Sequence, residues 1–154
     1  MHGECLCGQV SFRVTGTLPD IYQCHCSLCR KVTGSSANAA SFVQQAAFVW
    51  LSGEARIRTF RKPTGYRTDF CGECGSPVPN PLRDTGLMWI PAGLLDDTGN
   101  ARVRVHLHLG SAATWERESE RCLKLEQGTE SLTALYGHLL GHTEPDDGTG
   151  YGAP

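Results

Sequence analysis

Apolar and polar residues alternate over Gln9-Val10-Ser11-Phe12-Arg13-Val14-Thr15, the period-two pattern of a strand with one buried face. Gly16 to Pro19 ends that strand. A short strand is predicted over residues 21–23, followed by a helical turn over residues 29–32 that Ser27 caps and Gly34 closes. Further strands are predicted over residues 41–43, 48–51, 55–60, 66–70, 87–90 and 103–109, separated by Gly and polar turns. In the last of these, Val103, Val105, Leu107 and Leu109 face one way and Arg104, His106 and His108 the other. Helical periodicity of any length is confined to residues 129–141, where Leu132, Leu135, Tyr136, Leu139 and Leu140 recur at i, i+3, i+4, i+7 and i+8. Residues 143–154 are polar and Gly-rich, which predicts a disordered tail. The pattern describes a mainly β domain over residues 1–126, a C-terminal amphipathic helical extension over 127–142, and that tail.

Composition sharpens this picture. The 154 residues suit one domain, and 18 Gly with 8 Pro supply the turns that many short strands need. Lys plus Arg number 14 against 16 Asp plus Glu, a net charge of −2, so no basic excess points to a nucleic-acid partner. The longest apolar run, Ala46 to Leu51, falls far short of the ~20 residues of a membrane span. The first residues show no basic region followed by an apolar stretch, so no signal peptide is read and a cytoplasmic location is expected.

Cysteine placement carries the chemistry. Of eight cysteines, seven fall into three tight groups: Cys5-x-Cys7, Cys24-x-Cys26-x-x-Cys29 and Cys71-x-x-Cys74. Disulfides that staple a domain are spread along the chain to close long loops. Thiolates paired in one tight turn suit a zinc ion at ~2.3 Å, and in a reducing compartment such clusters bind metal or act in redox chemistry. Cys5, Cys7, Cys71 and Cys74 can complete one closed tetrahedral site. Cys24, Cys26 and Cys29 can supply three ligands and leave the fourth place for water or substrate. Closed sites are structural and open sites catalytic, so two zinc ions per chain are expected.

The segments Gly3-x-Cys5-x-Cys7-Gly8, Cys24-His25-Cys26-Ser27-x-Cys29-Arg30-Lys31 and Phe70-Cys71-x-x-Cys74-Gly75-Ser76-Pro77 together resemble the glutathione-dependent formaldehyde-activating enzyme family, also called the CENP-V/GFA domain. Ile90-Pro91-Ala92-Gly93-Leu94-Leu95-Asp96 and the stretch from His106 through Gly110-Ser111 to Trp115 agree with it. The resemblance covers about residues 3–115. It implies an Mss4-like fold of short antiparallel sheets. It also implies a structural zinc on Cys5, Cys7, Cys71 and Cys74 and a catalytic zinc on Cys24, Cys26 and Cys29. The family's closing segment often carries a Lys before its Trp, whereas Ala112-Ala113-Thr114 precede Trp115 here.

Three thiolates leave Zn²⁺ with net charge −1, a poor Lewis acid but a suitable holder for a substrate thiolate. The chemistry expected is therefore the making or breaking of a carbon–sulfur bond on a small thiol, glutathione by the resemblance, as in a carbon–sulfur lyase. Arg30, Lys31 and Arg67 are candidates to steady the anionic site, against the alternative that they are solvated surface charges. His25 is a candidate general acid or base. Its alternative is a ring that points away from the metal and shapes the knuckle, and its position beside two ligands makes it a poor fourth ligand. His106 and His108 read as a solvated face. Phe42, Trp50 and Trp89 read as core, with Trp89 able to wall a pocket. Two other functions are kept in view: a non-enzymatic zinc module that binds protein, and a dithiol reductase, for which Cys122 is the one thiol left over. Oligomeric state is left open.

Overall fold

The computed structural model describes residues 1–116 and, beyond them, the single positions 127, 130, 131 and 139. The chain divides into two units, Met1–Arg117 and Glu118–Pro154. The helix expected at 129–141, the tail and Cys122 lie, apart from those single positions, outside the described residues.

The strands of the first unit are β1 (His2–Glu4), β2 (Ser11–Val14), β3 (Ile21–Cys24), β4 (Asn38–Gln44), β5 (Phe48–Ser52), β6 (Ile57–Arg61), β7 (Arg67–Cys71), β8 (Pro77–Val78), β9 (Asn80–Pro81), β10 (Leu87–Pro91) and β11 (Val103–Leu107). A single α-helix among the described residues, α1 (Ser27–Thr33), lies between β3 and β4. The strands form three sheets, ordered β1-β2-β5, β11-β3-β4-β10-β9 and β6-β7-β8. All pairings are antiparallel except β11 with β3. The mainly β character is what the pattern predicts, and the short antiparallel sheets are what the family resemblance implies.

The alternation in β2 does what its sequence requires. Val10, Phe12 and Val14 are fully buried while Arg13 is exposed. Phe12 and Val14 join Leu18, Val43, Met88 and Ile90 in the main core. The five-stranded sheet supplies one face to that core, because Val43 lies opposite Met88 and Ser41 opposite Ile90. Successive side chains on a strand point to opposite faces, and cross-strand partners share one. The other face must then carry Tyr22 and Cys24 from β3, Asn38 and Phe42 from β4, Trp89 from β10 and Asn80 from β9. One face of the sheet holds the molecule together and the other is free for chemistry.

Three details differ from the sequence pattern. Ser27 lies inside α1 rather than capping it; Cys26 takes the cap position with extended backbone and no side-chain hydrogen bond, while Gly34 closes the helix at φ 62°. The last strand stops at Leu107 because His108 turns into the left-handed region at φ 58°. Ala55 belongs to a short 3₁₀ turn before β6. β11 is an edge strand with Val103, Val105 and Leu107 between 39% and 47% exposed.

Candidate metal centres and the adjoining pocket

The first cluster joins the two small sheets. β1 delivers Cys5, whose N–H donates to Val10 O and whose carbonyl accepts from Gly8 N–H, folding the loop so that Cys7 returns beside Cys5. β7 ends at Cys71, and the turn after it is closed by Gly75 N–H donating to Cys71 O. Gly75 adopts φ +75°, and a Cβ on Gly72 would stand 2.9 Å from Arg56 O, so this knuckle tolerates little but glycine at either place. The four sulfurs lie within 4.8 Å of one another. Cys5 and Cys7 are 3.5 Å apart and Cys7 and Cys71 3.8 Å. A tetrahedron with metal–sulfur bonds of 2.3 Å has edges of about 3.8 Å, so the donor set fits a zinc ion. The Ser76 hydroxyl, 3.4 Å from Cys74 Sγ, brings that thiol down to about 6. Cys5 and Cys71 are buried and pack with Val10 and Val78 in a second, smaller core.

The second cluster is built by one strand end and one helical turn. Cys24 closes β3, Cys26 caps α1, and Cys29 sits in the helix's first turn, locked by Arg30 N–H donating to Cys26 O at 3.0 Å. The three sulfurs again lie within 4.8 Å of one another. Among the described residues no histidine, carboxylate or fourth thiol joins them. Burial first, then the thiols of Cys24 and Cys26, push the Cys29 thiol up. Three crowded thiols ionise together only when a cation sits among them, and the donor set fits zinc with one position open.

His25 lies between two of these cysteines and faces the other side of the sheet. Its ring is buried, with Nδ1 3.0 Å from Glu116 Oε2 and Nε2 3.0 Å from His106 Nδ1. Its backbone is held too, the N–H donating to Leu107 O and the carbonyl accepting from Arg30 Nε at 3.3 Å. Arg30 therefore grips the ligand loop from behind. Lys31 is exposed. Arg67 makes a two-pronged ion pair with buried Asp69, with Nε 2.8 Å from Oδ1.

On the open side, a cavity of about 350 Å³ has Cys29 in its wall. Trp89, Tyr22 and Tyr66 form an aromatic side, and Trp89 Nε1 donates to the Tyr22 hydroxyl at 2.8 Å. Tyr22 also stacks on Phe42 with ring centres 5.2 Å apart. Burial pushes Tyr22 up to about 12, and burial followed by the charge of Cys29 does the same to Tyr66. Both remain phenols at neutral pH. Asn38, Asn80 and Thr68, all buried, line the same cavity. Trp89 thus walls a pocket, and Trp50 packs against the core.

Sequence reading missed Asn38, Asn80, Thr68, the two tyrosines, and Glu116. Isolated amides and hydroxyls in strands have no spacing signature. His106 read as part of a solvated face, and its contact with His25 depends on the parallel pairing of β11 with β3, which brings His106 level with Gln23.

A mainly β scaffold that carries a four-thiol cluster and an open three-thiol cluster, each able to hold a metal ion, defines the class. Residues 1–111 match the family described as "Glutathione-dependent formaldehyde-activating enzyme", and the chain belongs to that family. A Halomonas elongata protein named "Putative glutathione-dependent formaldehyde-activating enzyme" is 28% identical over 134 residues, spanning 79% of this chain and 85% of the relative. A crystal structure of a Rhodobacter sphaeroides protein, a structural-genomics target, is similar with TM-score 0.54 at 21% identity, covering 68% of this chain and 100% of that one. That likeness concerns the fold alone. Among the described residues no helix is long and apolar enough to cross a membrane.

Proposed function

We propose that the chain is a zinc enzyme that makes or breaks a carbon–sulfur bond on a small thiol of the glutathione type. The observation that carries this reading is the open three-thiol cluster with Cys29 in the wall of an aromatic-sided cavity. Zinc held by Cys24, Cys26 and Cys29 supplies a cation that favours the thiolate form of a substrate thiol. Cys5, Cys7, Cys71 and Cys74 would hold the second, structural ion.

The chain's own groups do the rest. In the forward direction a sulfur–carbon bond forms as the carbonyl π bond of a small aldehyde opens, and the thiol proton ends on the new hydroxyl. The reverse breaks the same bond. Tyr22 accepts from Trp89 and so keeps its own O–H to donate towards the cavity. Tyr66 and Trp89 line the same cavity as Cys29 and give a substrate carbon an aromatic wall beside it. His25 and Arg30 act as positioning residues that fix the loop bearing Cys24 and Cys26. Family membership supports an enzyme of this kind.

The test is exchange spectroscopy of isotope-labelled formaldehyde with glutathione. The metal-loaded protein should speed interconversion of the free aldehyde and the thiol adduct, and Cys29→Ser should abolish the effect. An exchange rate equal to that of buffer overturns the proposal.

A further inference from the structure

We propose that the thiol bound at the triplet is recognised through a neutral amide close to its sulfur, read by Asn38 in the cavity wall, with Asn80 and Thr68 left to more extended ligands, and not through a carboxylate. The proposal rests on the reading that the open cluster binds a thiol.

Asn38 and Asn80 are each 6% exposed and Thr68 8%. Among the described residues the Asn38 amide and the Thr68 hydroxyl make no hydrogen bond, and Asn80 uses only Nδ2, which donates to Pro81 O at 3.1 Å. Yet no fully buried side-chain nitrogen or oxygen there lacks a partner, so these free groups open onto the cavity they line. A buried amide with unused donors and acceptors gains most from a ligand that supplies both, and an amide does so.

Register sets the geometry. Asn38 is the direct cross-strand partner of Cys24, so its amide shares a face with a metal-binding thiol one strand away. Asn80 partners Trp89, which partners Phe42, four residues along β4 from Asn38. Four residues of strand rise amount to about 13 Å. A ligand whose sulfur sits at the triplet therefore meets Asn38 first and reaches Asn80 only if it is extended.

The cations at the pocket do not compete. Arg67 is neutralised by Asp69, and Arg61 and Arg83, which also line the cavity, are exposed, so water screens them.

Cobalt-loaded protein tests this, because thiol binding at an open cobalt site alters its visible spectrum. The probes are N-acetylcysteamine, with an amide and no charge; 3-mercaptopropionate, with a carboxylate and no amide; and 2-mercaptoethanol, with neither. N-acetylcysteamine should bind about tenfold tighter than 2-mercaptoethanol, the worth of one or two buried hydrogen bonds. 3-Mercaptopropionate should show no such gain. Asn38→Leu should erase the advantage, Asn38→Asp, which keeps an acceptor but loses the donor, should reduce it, and Arg61→Ala with Arg83→Ala should leave it. Equal affinity for all three thiols, or preference for the carboxylate, overturns the amide proposal and leaves thiol binding standing. A spectrum that no thiol changes overturns both.

Discussion

Replacing Cys5 by serine removes one of the four clustered thiols that, with a metal ion among them, would tie β1 to the end of β7. Cys5 and Cys71 lie 66 positions apart in the chain, whereas Cys24 and Cys29 lie five apart. If each metal site is treated as a cross-link, closing the longer loop is worth about 4 kcal/mol of chain entropy and closing the shorter one about 2 kcal/mol. Cys5 is also buried against Val10 and Val78, where a serine hydroxyl finds an apolar setting and loses stability further. For a chain of this size each kcal/mol moves the melting temperature by roughly 2–4 °C. Cys5→Ser should therefore melt about 8–16 °C below wild type, and Cys29→Ser only about 4–8 °C below. Thermal melts of metal-loaded protein, with metal content measured on the same samples, make the comparison. Cys29→Ser should stay folded and lose one ion. If it melts as low as Cys5→Ser, or lower, the division into a structural and a catalytic site is wrong, and the non-enzymatic zinc module becomes the better reading.

Protein purified without added metal should contain about two zinc ions per chain, and a chelator should strip one much faster than the other. Glu116→Ala should speed loss of that labile ion by about tenfold and Glu116→Gln by less, as chelator competition will show, because glutamine keeps an acceptor for the His25 ring. Trp89→Phe removes the N–H that Tyr22 accepts at 2.8 Å and should cost about 1 kcal/mol in denaturant unfolding, with the fold intact. Tyr66 has its folded-state pKa raised from 10.0 to about 12, so the unfolded chain gives up that proton first. Its contribution to stability is whole below pH 10 and falls as pH climbs towards 12; a Tyr66→Phe variant should show a shallower decline in alkaline melts.

Much of this was legible in the residues. The alternation of Val10, Phe12 and Val14 marks their strand because one face of β2 is buried and the other is not. Seven cysteines mark two clusters because metal ligands must leave tight turns in pairs or triplets. What lies between elements was hidden. Asn38 matters because antiparallel register sets it across from Cys24, and no local pattern encodes which residue of a neighbouring strand a ligand will face. The His25 contacts with His106 and Glu116 join positions 81 and 91 residues apart, a distance that sequence spacing does not bridge. Two-residue strands such as β8 and β9 are too short for any periodicity to show.

The central claim is that the triplet holds a metal with one position open to a thiol, while the other cluster is closed. Cadmium NMR of the doubly loaded protein tests it directly, since the two sites give separate resonances whose positions report the number of sulfur ligands. Addition of glutathione should move one resonance into the four-sulfur region and leave the other in place. Two four-sulfur resonances before any thiol is added, or no movement of either on addition, would contradict it.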